Sequence, residues 1–141
     1  MRAMTRPALL ALLIAAALAA ASPARATAQS GDAYWLGGWR ATMLDGRAIT
    51  TARAPVMRFD AAGAVSGWTG CNRFGASWSG TATALRVTTG MTTRMACVGP
   101  DNRIEADFLR VLSGARRLER NGDVLVVWSD AGRSEFIRDQ R

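Results

Sequence analysis

The sequence predicts a strand-dominated α+β fold: a curved antiparallel sheet or small up-and-down β-barrel with one inserted helix near residues 102–113. Three observations predict it. Short β-prone runs recur between Gly, Asn and Asp punctuation from Trp39 onward. The last third of the chain reads as strand, turn, strand, turn, strand. One segment alone carries helical periodicity. Consecutive short strands curl or close on themselves, because flat open edges invite aggregation.

Taken in order, Trp39–Leu44 is the first strand, stopped by the turn pair Asp45-Gly46. Val56–Phe59 and Ala64–Trp68 form a hairpin across Asp60-Ala61-Ala62-Gly63. Phe74–Trp78 and Leu85–Val87 follow as strands, with Ser79-Gly80-Thr81 as their separator. Gly67 and Gly70 mark a bulge or a close backbone approach. Ile104, Phe108, Val111 and Leu112 fall on one helical face. Asn102 is the expected cap of that helix, with Glu105 as its capping-box partner and Gly114 as a left-handed stop. Leu118–Arg120 then meets Asn121-Gly122, a strong hairpin signal, before Val124–Trp128. Asp130-Ala131-Gly132 turns the chain into Ser134–Ile137. Strand alternation expects Arg116 and Arg117 to point opposite ways. Core packing is the first expectation for Trp39, Trp68, Trp78 and Trp128, and an aromatic-lined pocket the second.

Residues 1–28 read as a cleaved signal peptide. Arg2 and Arg6 precede the apolar run Ala8–Ala21, which falls short of the roughly 20 residues that span hydrocarbon. Ala24-Arg25-Ala26 and Ala26-Thr27-Ala28 both offer a cleavage site. Residues 29–34 are a short lead-in and 35–138 a single domain. The expected location is the periplasm or outside the cell, without stable membrane insertion after cleavage, as a monomer.

The formal net charge is +7, and three of the 18 basic residues fall in the leader, leaving the mature chain near +4. Every basic residue is Arg, scattered along the chain, which with the exported address argues against nucleic acid. His is absent, removing the usual general base and the commonest transition-metal ligand. The acids are dispersed among turns and the start of the helix, so no catalytic, cofactor or metal set is assigned and the chain is read as a non-enzyme.

Two cysteines in an exported chain read as a disulfide, Cys71–Cys97. Closing a loop of that length contributes roughly 3–4 kcal/mol. The alternative is thiol chemistry, with Arg73 or Arg94 favouring a thiolate. Asn72 sits at a turn, where its amide serves interrupted backbone groups or binds a ligand.

The stretches Gly70-Cys71-Asn72-Arg73-Phe74 and Thr93-Arg94-Met95-Ala96-Cys97 together resemble the META domain, the HslJ-like heat-shock family of bacterial envelope proteins. The resemblance covers roughly Trp35 to Ile137. It departs from the family's pattern where a Gly and an aromatic, often Tyr, are usual: here Ala76 stands at the Gly position, after Gly75, and Trp78 is the aromatic. The local turn is therefore expected to differ by a residue.

The resemblance implies a role in stress response, motility or antibiotic tolerance, with no catalytic residues to carry over. Gly70, Asn72, Phe74, Trp78, Thr93 and Met95 are the family-motif residues, expected to be structural. Arg73 and Arg94 are the candidate interaction pair, brought into one neighbourhood by the disulfide and able to receive a carboxylate or phosphate. The expected function is binding of a protein or envelope component. Alternatives are a small ligand in the barrel interior, inhibition of a secreted hydrolase, or thiol-redox activity.

Overall fold

The computed structural model describes residues 33–141, so the expected signal and most of the lead-in lie outside the described residues. The strands are β1 (Gly37–Leu44), β2 (Arg47–Ala48), β3 (Val56–Phe59), β4 (Ala64–Trp68), β5 (Arg73–Thr81) and β6 (Ala84–Thr92). After the helix α1 (Pro100–Ser113) come β7 (Ala115–Asn121), β8 (Val124–Ser129) and β9 (Gly132–Arg138).

All pairings are antiparallel, in the order β6-β5-β4-β3-β1-β9-β8-β7, with β2 folded back on β1. The two ends of that order approach each other, and the Leu118 N–H donates to the Ala82 carbonyl at 2.7 Å. No strand ladder joins β6 to β7 among the described residues. The result is an open, curled half-barrel, the architecture that strand-dominated sequence and a single helical stripe predict.

Alternation fills the concave side. Trp39, Ala41, Met57, Phe59, Val65, Phe74, Leu125, Val127 and Phe136 point inward from their strands and are buried. The helix lays Phe108, Val111 and Leu112 against them. Phe108 meets Phe74 and Phe136 edge-on, with ring centroids 5.2 and 6.4 Å apart. The cavity left between helix and sheet is about 10 Å³, no more than one water's worth of space.

Several local expectations give way to the tertiary structure. The helix starts at Pro100, behind Gly99, with no side-chain cap. Proline lacks an N–H and has its φ preset, so it opens the helix and leaves Asn102 inside the first turn, where it cannot cap. Gly114 ends the helix in the right-handed region, at φ −87°. Ser79–Thr81 belongs to β5, and the turn falls on Ala82-Thr83.

In the β7–β8 hairpin Asn121 pairs with Val124, so the loop residues are Gly122 and Asp123, and Gly122 takes the positive φ of 61°. A register shift between Ala115 and Arg117 inserts one residue into β7. Both Arg116 and Arg117 therefore stay out of the core, instead of pointing opposite ways.

Trp68 and Trp128 are corrections too. Each lies on the outer face and is half-buried, outside the core cluster that contains Trp39. Trp128 is flanked by its cross-strand neighbours Arg117 and Arg133, whose guanidinium carbons lie 5.0 and 6.0 Å from its ring centroid.

Candidate functional site

Pairing of Trp68 with Arg73 closes β4 and β5 around a four-residue loop, Thr69-Gly70-Cys71-Asn72. The Thr69 N–H donates to the Asn72 carbonyl at 2.8 Å, and the Thr69 hydroxyl oxygen accepts from the N–H groups of Cys71 and Asn72 at 3.2 and 2.8 Å. Gly70 holds φ 100°, and a Cβ there would stand 2.9 Å from the Arg53 carbonyl oxygen. Both the dihedral and the close approach demand glycine. Of the two expectations for Gly67 and Gly70, close approach is the one that applies: the β3–β4 and β4–β5 ladders run without a register shift.

The loop is tied to the chain after β6 twice. Cys71, fully buried, is disulfide-bonded to half-buried Cys97, with Cα atoms 6.0 Å apart. Neither is a free thiol. Asn72, 2% exposed, supplies the second tie. Its Oδ1 accepts from the Met95 N–H at 2.6 Å and the Thr93 hydroxyl at 2.9 Å. The Thr93 hydroxyl oxygen in turn accepts from the Arg73 N–H at 3.0 Å.

Asn72 also reaches the helix. Its Nδ2 donates to Glu105 Oε1 and Oε2 at 3.1 and 3.0 Å, and its backbone N–H lies 3.1 Å from Oε2. The Thr69 hydroxyl donates to the same Oε2. Glu105, expected as a capping-box residue, is thus the helix's contribution to this loop. Three neutral donor groups surround its carboxylate, and no ion pair reaches it among the described residues. Its acidic neighbours do pair with arginine: Asp101 with Arg53 at 3.6 Å and Asp107 with Arg110 at 2.9 Å.

The remaining motif residues divide by role. Phe74 is core, against Phe108. Trp78 is half-buried, packs edge-on to Trp35 at 5.6 Å, and donates from Nε1 to the Asp60 carbonyl at 2.9 Å. The departure around Gly75 and Ala76 is a register shift: Phe74 faces Thr92 and Ala76 faces Thr89, so β6 carries one extra residue there.

Met95 contributes only its backbone to the network, and the residue is 56% exposed. Met91 and Val98 are more exposed still, at 87% and 85%. Three of the four exposed large apolar residues among those described therefore sit in eight residues of chain. Arg73 and Arg94 come to adjacent backbone positions, since Thr93 N–H donates to the Arg73 carbonyl at 2.9 Å. Both side chains are exposed and neither forms an ion pair among the described residues.

Thr69 and the inward role of Glu105 escaped the sequence reading. The available signal was Thr69 itself, three residues before Asn72, the spacing of a hydroxyl-capped turn.

A family model for the META domain matches residues 35–141. No curated protein matches the chain. Among solved structures, it is similar to an NMR structure of a protein from Burkholderia xenovorans, 26% identical with a TM-score of 0.60, covering 74% of this chain and 83% of that one. A second protein solved by NMR is 19% identical, with a TM-score of 0.58 and coverage of 72% and 87%. A crystal structure of a DUF4847 family protein from Bacteroides vulgatus ATCC 8482 is 11% identical, with a TM-score of 0.57 and coverage of 74% and 94%. The last two show likeness of fold alone.

Proposed function

This chain belongs to the META domain family, and on that premise we propose that it is an exported, non-enzymatic envelope protein that binds another envelope component. The stress-response link follows from the family resemblance. One observation carries the reading: the tied irregular segment 93–97 and its flanks present Met91, Met95 and Val98 to water, beside Arg73 and Arg94, which form no ion pair among the described residues. A disulfide and an amide network that merely stabilised the domain would not require Met91, Met95 and Val98 to face solvent. Holding them in place lowers the ordering cost of binding.

The non-enzymatic reading rests on groups already committed elsewhere. The chain has no His, both cysteines are joined to each other, and the Glu105 carboxylate is occupied by Thr69 and Asn72. A ligand carried in the barrel interior is disfavoured by the packing of helix against sheet.

Cross-linking in envelope preparations, with the mature protein beside the double variant Arg73→Gln/Arg94→Gln, tests the proposal. The expected result is a specific adduct that the variant loses while its unfolding midpoint is unchanged. Equal recovery by both proteins removes this face from the function.

A further inference from the structure

We infer that the segment Met91–Val98 docks on an anionic lipid bilayer surface, with its apolar side chains entering the headgroup region while Arg73 and Arg94 meet lipid phosphates. The inference rests on the reading above that this face is the interaction surface, and it names the partner.

The form of the exposure favours lipid over protein. Met91 at 87% and Val98 at 85% stand almost wholly in water, with little of either covered by neighbouring chain. A protein partner would have to bring a fitted pocket for each protruding side chain. A bilayer interface accepts protruding apolar groups of any outline, and the unbranched, flexible methionine suits it. The charge agrees: the guanidiniums of Arg73 and Arg94 form no ion pair among the described residues, Glu105 is turned into the Asn72 network, and Asp101, three residues after Val98, is paired with Arg53. Anionic headgroups attract basic residues placed beside such a patch.

Three apolar side chains alone give shallow, reversible binding, which needs a segment that keeps its shape in water. The Cys71–Cys97 disulfide and the Asn72 amide provide this from both sides of Met95. No helix among the described residues is long and apolar enough to cross a membrane.

Co-sedimentation of the mature protein with vesicles of equal parts phosphatidylglycerol and phosphatidylcholine tests this, beside phosphatidylcholine vesicles alone and an arm with excess inorganic phosphate. Binding is expected to the mixed vesicles only, with little competition from phosphate. Arg73→Gln/Arg94→Gln should weaken it about thirtyfold. Met91→Ser/Val98→Ser, at positions that bury almost nothing, should keep its unfolding midpoint and also lose binding.

Absence of vesicle binding overturns the inference. So does loss in the arginine variant with none in the apolar variant, or full competition by phosphate, either of which makes the site a simple anion site. If vesicles fail while the arginine-dependent cross-link to a protein persists, the bilayer is excluded and the proposed interaction face stands. If both fail, both readings fall.

Discussion

The Asn72 side-chain amide donates to both carboxylate oxygens of Glu105, at 3.1 and 3.0 Å, and thereby locks a hairpin loop to the only helix among the described residues. With the same amide's oxygen on Thr93 and Met95, one residue joins three elements that are distant in sequence.

Asn72→Ala should cost about 2–4 kcal/mol, because it strands the Met95 N–H and removes neutral donors from a carboxylate. Asn72→Asp should cost more near neutral pH, since it sets a second carboxylate against Glu105. Urea unfolding of the oxidised variants at neutral pH checks both. An Asn72→Asp variant as stable as the parent would contradict the pairing.

Breaking the disulfide tests which tie holds Met95. Cys97→Ser should lower stability by about 3–4 kcal/mol yet leave the Met95 amide protected from hydrogen exchange. In Asn72→Ala that amide should exchange quickly with the disulfide intact. The opposite pattern would assign the segment's order to the sulfur bridge alone.

Gly70→Ala should destabilise by about 1–3 kcal/mol, since it combines φ 100° with a Cβ 2.9 Å from the Arg53 carbonyl oxygen. Gly99→Ala, at φ 68° but with nothing within 4 Å, should cost less. Thermal unfolding of the two variants gives the ranking.

Phe108→Ala should cost about 3–5 kcal/mol, because the helix's central aromatic contact with Phe74 and Phe136 would become a void. Trp128→Ala, on the outer face between two arginines, should cost clearly less than Trp39→Ala. Chemical denaturation separates these two tryptophan roles.

What could be read in advance was local. The Phe108–Val111–Leu112 stripe, the Asp45-Gly46 turn and the C-terminal meander follow from periodicity and dihedral preference, which act within a few residues. The paired motifs with their cysteines marked the loop and its tie for the same reason: each is a short contiguous stretch.

The amino-acid sequence by itself determined strands, helix, family resemblance and the pairing of its only two cysteines. The tertiary structure decided what the motif residues do. Glu105 left the role of helix cap for a partner 33 residues away, because Pro100 moved the helix start and the curled sheet brought the Thr69–Asn72 loop beneath it. Bulges in β6 and β7 decided where the arginines and threonines face, and a one-residue change of register reverses every side chain after it. Such long-range geometry leaves no periodic trace in the chain, so the exposed Met91–Val98 segment emerged only from the folded molecule.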